Sequence, residues 1–351
     1  RLCRDWSSDV CSSDLLQQSE ENPASDFDRI RFVHRSIPIN KDPISLHTTI
    51  AGLEMNFPFY INAMTGGSET AKKINAQLAQ VAKATGLAMA TGSLSAALKD
   101  PTLEESYRIV RDTFEDGIIF ANIGADRTLE DARKAVNILN ANALQIHLNA
   151  PQEIVMPEGD REFHLWEKNI SDIVKNVGVE VIVKEVGFGM SRHTVNHLIG
   201  LGVKTVDVSG RGGTNFIRIE NARRPIALEY LDEWGLSTVE SLIDCYALSD
   251  KVDVIASGGI RHPLDMAKAF ALGAKAIGLS GTILSLLQSG GVKYAISVIE
   301  NWKEELRMIM LMLGVSHIEE FGFCDLILDR TLISWCDQRR IPAQMFTLRN
   351  S

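Results

Sequence analysis

Two stretches of this chain put polar or ionisable side chains where an ordinary β-strand holds apolar ones. In VIVKEVG (residues 181–187), Lys184 follows three apolar residues. A lysine there either reaches an open end of the sheet or buries an unpaired charge at high cost, which favours a site role over a structural ion pair. In ALQIHLNAPQE (residues 143–153), His147, Asn149, Gln152 and Glu153 fall together at one strand end and its following loop. Two amides, an imidazole and a carboxylate suit orientation of a polar ligand, and Glu153 offers hard oxygen to Mg²⁺. A solvated loop with one satisfied core histidine fits those four residues equally well. No second carboxylate forms an obvious acid–base pair, and neither a nucleophile elbow nor an HExxH motif occurs. A bound cofactor is therefore expected to supply the chemistry.

Three glycine-rich strings point to a phosphate. Ser257-Gly258-Gly259-Ile260-Arg261 and Ser280-Gly281-Thr282 each end an apolar run, and Ser209-Gly210-Arg211-Gly212-Gly213-Thr214 ends another. Glycine permits the close backbone approach that a phosphate needs, and backbone N–H groups at a helix start bind it well. One Gly-Gly pair could simply make a turn; two such strings at consecutive strand ends favour phosphate binding.

These strings need elements to hold them. From residue 57 a short apolar run followed by a helical stretch recurs. The runs cover residues 57–64, 87–93, 118–124, 143–149, 181–187, 205–210, 252–259 and 276–281. Amphipathic segments such as 69–85, 129–140, 191–202 and 262–273 lie between them, with apolar residues at helical spacing. Short strands alternating with helices indicate parallel βαβ units, and eight units predict an α/β protein of the (β/α)8 TIM-barrel type. A doubly wound open sheet is the main rival, but it usually has fewer strands and often a GxGxxG turn that is absent here. The barrel is expected over 57–288, with 16–56 as a short N-terminal cap over its floor. Residues 289–351 would be a C-terminal helical extension, with 302–313 and 318–338 as helices. Because barrel sites form at the C-terminal strand ends, Ala63, Met64, Thr65, Ser93, Asn122 and Ser209 join the candidates.

The net charge of −9 disfavours nonspecific nucleic-acid binding. No apolar run reaches the roughly 20 residues a membrane span needs. The five cysteines show no metal-ligand spacing, which predicts a reduced, cytoplasmic protein. Residues 1–15 (RLCRDWSSDVCSSDL) are polar, lack periodicity and resemble translated sequencing adapter. They are read as a non-native segment, a genuine disordered tail being the alternative.

The strings INAMTGG (61–67), ATGS (90–93), ANIGAD (121–126), LQIHLNAPQEIVMPEGDR (144–161), VKEVGFGMS (183–191), DVSGRGGTNF (207–216) and ASGGIR (256–261) resemble the type 2 isopentenyl diphosphate isomerases. The likeness runs from about residue 26 to near the C-terminus. It implies an FMN barrel that interconverts isopentenyl and dimethylallyl diphosphate with reduced flavin and Mg²⁺, NADPH serving only to reduce the flavin. It implies that Ala63, Met64, Thr65, Ser93, Asn122, Lys184, Ser209 and Thr214 hold FMN, and that Gly258, Gly259, Ile260, Arg261, Ser280 and Gly281 cradle its phosphate. Gln152 would sit beside the allylic carbons, with Ser93 also on the substrate side, and Glu153 would hold Mg²⁺. His147 and Asn149 would line the diphosphate or flavin side, Glu220 would support them, and the assembly would be a tetramer or octamer.

Two departures from the family pattern matter. Its members open with a basic RKxxH-type segment where residues 1–15 stand here, and many carry a basic residue in the loop that reads Ser93-Leu94-Ser95. Both predict a chain that binds FMN but isomerises poorly. The rival readings are another FMN barrel, either an α-hydroxy-acid oxidase or an IMP-dehydrogenase-like protein, and a flavin-binding protein with impaired catalysis. The oxidase would want a His/Arg pair over the flavin. The dehydrogenase would want a loop cysteine, and Cys245 falls in a predicted helix.

Overall fold

The computed structural model describes residues 25–37 and 43–349. The expectation for residues 1–15 lies outside them. Among the described residues twelve strands occur in chain order: β1 (Ile30–Phe32), β2 (Thr48–Ile50), β3 (Leu53–Met55), β4 (Phe59–Ile61), β5 (Met89–Ala90) and β6 (Ile119–Gly124). Then follow β7 (Ala143–His147), β8 (Glu180–Lys184), β9 (Thr205–Asp207), β10 (Asp253–Ser257), β11 (Ala276–Leu279) and β12 (Leu326–Leu328). Strands β4 to β11 pair in parallel and close into one barrel, β11 meeting β4 through Ile277↔Phe59 and Leu279↔Ile61. This is the eight-unit barrel expected from the strand–helix alternation. Closure leaves no unpaired edge.

Period-two alternation explains why the barrel strands read as unbroken apolar runs. Phe59, Ile61, Ile119, Ala121, Val181 and Val183 belong to the outer core beneath the helices, whereas Tyr60, Phe120, Ile182 and Ile255 fill the barrel interior. Both faces are buried, so both select apolar residues. Tyr60 and Phe120 meet edge to face inside, ring centroids 5.3 Å apart.

The antiparallel β2–β3 pair packs Ile50, Ala51 and Met55 into the same interior cluster, against Ala143 and Ala276 at the first residues of β7 and β11. The N-terminal end of the barrel is thereby plugged, and the opposite end is the open one. β1 serves elsewhere: it pairs antiparallel with β12 through Ile30↔Leu328.

The C-terminal region departs from the helical expectation. Residues 318–338 are not one helix but a 3-10 turn (Ile318–Phe323), then β12, then a helix Arg330–Arg339 capped by Asp329. Leu326 and Leu328 are buried with Ile327 exposed between them, a two-residue period that suits a strand. The helix Gly281–Leu313 is, among the described residues, the one long and apolar enough to cross a membrane by length and composition. It kinks at Gly291 (φ 73°). Beyond the kink Ala295, Ile299, Trp302, Leu306, Met310 and Leu313 are buried at helical spacing, which is the stripe of a helix packed on a core.

Candidate active site

One step up from the apolar interior, the inward positions change character. Two residues beyond Tyr60, Phe120, Ile182 and Ile255 stand Asn62, Asn122, Lys184 and Ser257, all buried. Gln145 and His147 follow Ala143 at the same period, and Asp207 lies opposite Lys184 in the β8–β9 register. Alternation therefore stacks a polar layer on the apolar plug at the open end.

That layer is internally bonded. Asp207 is fully buried and accepts from Asn62 Nδ2 at 2.9 Å, Ser257 Oγ at 2.7 Å and its neighbour Ser209 N at 3.1 Å. Gln145 Nε2 donates to Asn62 Oδ1 at 2.9 Å. A Cβ at Gly278 would lie 2.4 Å from Asn62 Nδ2, so glycine is what leaves Asn62 room to reach Asp207. Lys184 is 7% exposed and donates to Glu185 O at 2.6 Å. Burial lowers the lysine's pKa, opposed by Asp207 and Glu185, and burial raises that of Asp207, opposed by Lys184. Burial pushes Glu185 up to about 7 against the N–H groups of Val186 and Phe188, which its carboxylate accepts. Asn62, Gln145, Glu185 and Asp207 were missed as site residues, and Ser257 was noted only in its glycine string; counting by twos from the inward apolar residues Tyr60, Ala143 and Ile255 finds Asn62, Gln145 and Ser257, but neither Asp207 nor Glu185.

The sequence candidates fall around this mouth. His147 Nδ1 bonds Asn122 Oδ1 at 2.9 Å. Loss of water, with the charges of Lys184 and Arg127, lowers the imidazole to about 3. Asn149 Nδ2 donates to Glu153 Oε1 at 2.9 Å, and Glu153 Oε2 accepts from Asp160 N at 2.9 Å, at the short helix Ala150–Val155. Gln152 Nε2 donates at 3.3 Å to Glu220 Oε1, which the helix Phe216–Arg223 carries. Glu220 is fully buried; burial raises its pKa, and its other oxygen takes Arg223 Nη1 at 2.7 Å. Arg223 was a further omission. Among the described residues no group of three or more His, Cys, Asp or Glu side chains is placed to hold a metal.

Ala63, Met64 and Thr65 follow β4, and Thr65 Oγ1 is buried without a hydrogen-bond partner. Ser93 follows β5 and its carbonyl accepts from Tyr107 OH at 2.7 Å. After β9 and β10 the glycine loops abut. A Cβ on Gly258 would lie 2.2 Å from Gly210 O, and one on Gly259 would lie 3.0 Å from Gly212 Cα. Ser209 is held at φ 33°, uncommon for a residue with a side chain. Thr214 sits beyond this crossing, its carbonyl beside Gly187. Thr282 Oγ1 donates to Ile260 O at 3.1 Å, tying the loop after β10 to the helix that follows β11. At the start of that helix Ser280 makes no side-chain cap; its hydroxyl turns to Ala63 O at 3.4 Å, leaving the first-turn N–H groups uncapped. Arg261 stands apart from the other candidates, because its guanidinium turns to Asp265 at 2.8 Å and Asp28 at 2.6 Å.

A closed parallel barrel with a polar mouth and glycine loops after its seventh and eighth strands defines a class, and the FMN-dependent dehydrogenase family matches residues 116–325. The fold is also that of a mandelate oxidase carrying a monooxide FMN adduct (TM-score 0.65, 16% identity, 87% of this chain and 90% of that one). A flavocytochrome b2 with pyruvate bound aligns with TM-score 0.63 at 22% identity, over 84% of this chain and 75% of that one. At such identities the likeness concerns the fold alone.

Sequence similarity is far closer to one set of relatives. The isopentenyl-diphosphate delta-isomerase of Staphylococcus haemolyticus is 51% identical over 93% of this chain and 94% of its own length. Those of S. epidermidis (48%, covering 93% and 94%) and S. aureus (50%, covering 90% and 91%) are similar to the same degree. The chain belongs to the isopentenyl-diphosphate delta-isomerase family.

Proposed function

We propose that the chain isomerises isopentenyl diphosphate to dimethylallyl diphosphate with reduced FMN and Mg²⁺, NADPH serving as the reductant of the flavin. The observation that carries this reading is 51% identity to an isopentenyl-diphosphate delta-isomerase across nearly the whole of both chains.

The residues present suit FMN. Thr65 Oγ1 is a buried hydroxyl awaiting a partner, and the helix starting at Gly281 offers uncapped N–H groups beside a glycine loop. Ala63, Met64, Thr65, Ser93, Asn122, Lys184, Ser209 and Thr214 would hold the flavin, with Gly258, Gly259, Ile260, Ser280 and Gly281 around its phosphate. Glu153 would contribute one carboxylate oxygen to Mg²⁺, the remaining ligands being diphosphate and water. When bound, reduced FMN supplies the group that gives and takes the migrating proton, and Mg²⁺ screens the diphosphate charge.

The side chains around them orient and exclude. Glu220, with Arg223 on one oxygen, receives the Gln152 amide N–H on the other and so fixes which way Gln152 faces the reacting carbons. His147, neutral at working pH and with its Nδ1–H donated to Asn122 Oδ1, leaves Nε2 as a hydrogen-bond acceptor that adds no charge. Lys184 adds positive charge at the mouth, and the apolar plug beneath keeps water out of the barrel. Binding energy from the diphosphate end then holds the carbons in place. Cys245, Cys324 and Cys336 are buried free thiols, which supports a cytoplasmic setting. The exposed Met308, Leu311 and Met312 on one face of the last long helix support a homo-oligomer.

The deciding experiment is proton NMR of isopentenyl diphosphate under anaerobic conditions. Dimethylallyl diphosphate is expected only with dithionite- or NADPH-reduced FMN and Mg²⁺ together. Turnover with oxidised flavin, or none under any of these conditions, would overturn the reading.

A further inference from the structure

We propose that Asp28 is a positioning residue for the cofactor's phosphate, acting through Arg261 to hold the loop Gly258–Arg261 in its binding shape; this rests on the FMN reading above. Arg261 has five N–H donors, and carboxylates take four of them. Nε donates to Asp265 Oδ2 at 2.8 Å, Nη1 to Asp28 Oδ2 at 3.1 Å, and Nη2 to Asp28 Oδ1 at 2.6 Å and Asp265 Oδ1 at 3.3 Å. The backbone N–H of Arg261 is also engaged, by Asp265 Oδ2 at 3.2 Å. A phosphate could therefore draw at most one hydrogen bond from this guanidinium. The residue's main work is to tie the loop down, not to meet the anion.

The tie has two anchors of different kinds. Asp265 is fully buried in the first turn of the helix Pro263–Ala271, so it belongs to the barrel itself. Asp28 comes from more than two hundred residues away, in the short turn Asp26–Arg29. That turn is well fixed. Ser25 N donates to Asp28 Oδ2 at 3.0 Å in a capping box, Phe27 is buried, and Phe27 O accepts from the buried Lys268 Nζ at 2.8 Å. Ser25 Oγ reaches Gly259 O at 3.5 Å, so the turn touches the glycine loop directly. Hydrogen bonds to Arg261 hold the Asp28 carboxyl down to about 2, so the clasp is ionised at any working pH.

Gly258 and Gly259 both sit at positive φ (91° and 72°), where glycine gives little resistance to rearrangement. A loop of that kind needs outside support to present its N–H groups in one arrangement, and preorganised donors bind an anion better than mobile ones. The Asp28–Arg261 pair is bidentate, the geometry that adds direction as well as energy. The same loop is also held by Thr282 Oγ1, which donates to Ile260 O at 3.1 Å.

The test compares FMN with riboflavin, which lacks the phosphate. Flavin-stripped wild type, Asp28→Asn and Arg261→Lys would be titrated with each ligand, following flavin fluorescence. Wild-type FMN binding tests the flavin reading by itself, and its failure would sink that reading without touching the variants. For Asp28→Asn the FMN Kd is expected to rise about tenfold, the scale of one charge-assisted hydrogen bond, with riboflavin affinity unchanged. Arg261→Lys, which keeps the charge but loses the fork, should show the same phosphate-selective loss. Riboflavin binding also reports that each variant is folded, and a variant that fails to fold leaves the other to decide. Equal losses for both ligands, no loss at all, or tighter FMN binding from a freed Arg261 would each refute the proposal.

Discussion

His147 shows how one side chain's surroundings become a property of the whole chain. Its imidazole, lowered to about 3 from 6.5 by loss of water and the charges of Lys184 and Arg127, is neutral when folded. The unfolded chain binds a proton at this group below about 6.5 while the folded one does not, so stability falls as the pH drops through that window. The loss is up to about 1.4 kcal/mol per pH unit, ending near the folded value. Urea denaturation of the flavin-free chain between pH 7 and pH 5 should show this slope, and His147→Gln should flatten it. An unchanged slope would mean that the imidazolium finds a partner when the protein is folded. At the same scale Lys184 was legible, since a charged residue inside an apolar run stands out. Arg261 was legible only as a loop residue: nothing in ASGGIR says that its guanidinium turns away from the loop toward Asp28.

Strands and their loops carry the next level. The β11 residue Gly278 leaves the space through which Asn62 reaches Asp207. Gly278→Ala would push a methyl to 2.4 Å from the Asn62 amide, and crowding of a packed interior costs typically about 1–3 kcal/mol. The expected outcome is a lower denaturant midpoint with unchanged m-value, together with weaker flavin binding because the buried Asp207 loses a donor. Stability equal to wild type would show that Asn62 can move without cost. Strand existence was readable here because most barrel strands carry buried apolar residues on the outer face and at the base of the inner one. Strand ends were not: residues 57–64 shorten to Phe59–Ile61 and 87–93 to Met89–Ala90, with 62–64 and 91–93 following the strands at the open end. In the same way the apolar residues of 318–338 suited a helix until β12 found a partner in β1, far away in the chain.

For the whole molecule, the barrel's open end is a polar layer whose bonds are partly unmade. Thr65 Oγ1 and Gln145 Oε1 are buried without partners, and Lys184 and Asp207 are both shifted against their charged forms. Such a mouth is costly alone and repaid by a ligand. Saturation with FMN at about a hundred times its Kd should therefore raise the unfolding free energy by roughly 2.7 kcal/mol. Stripping the flavin and repeating the thermal melt checks this; a melting temperature independent of FMN would leave those orphan groups without their expected partner.

The number of barrel strands, the helical spacing between them and the glycine strings at 209–214, 257–261 and 280–282 were determined by the sequence alone, because each depends on residues close in the chain. So was the family, through strings such as QIHLN. Only the tertiary structure decided how the polar layer bonds to itself, which oxygen of Glu220 takes Gln152, and that Asp28 grips Arg261. Those contacts join residues tens to hundreds of positions apart, and no local period or propensity records which distant partner a side chain will meet. The glycine loop at 258–261 is the clearest case: its glycines mark it in the sequence, but the Asp28 carboxylate that meets Arg261 comes from the other end of the chain.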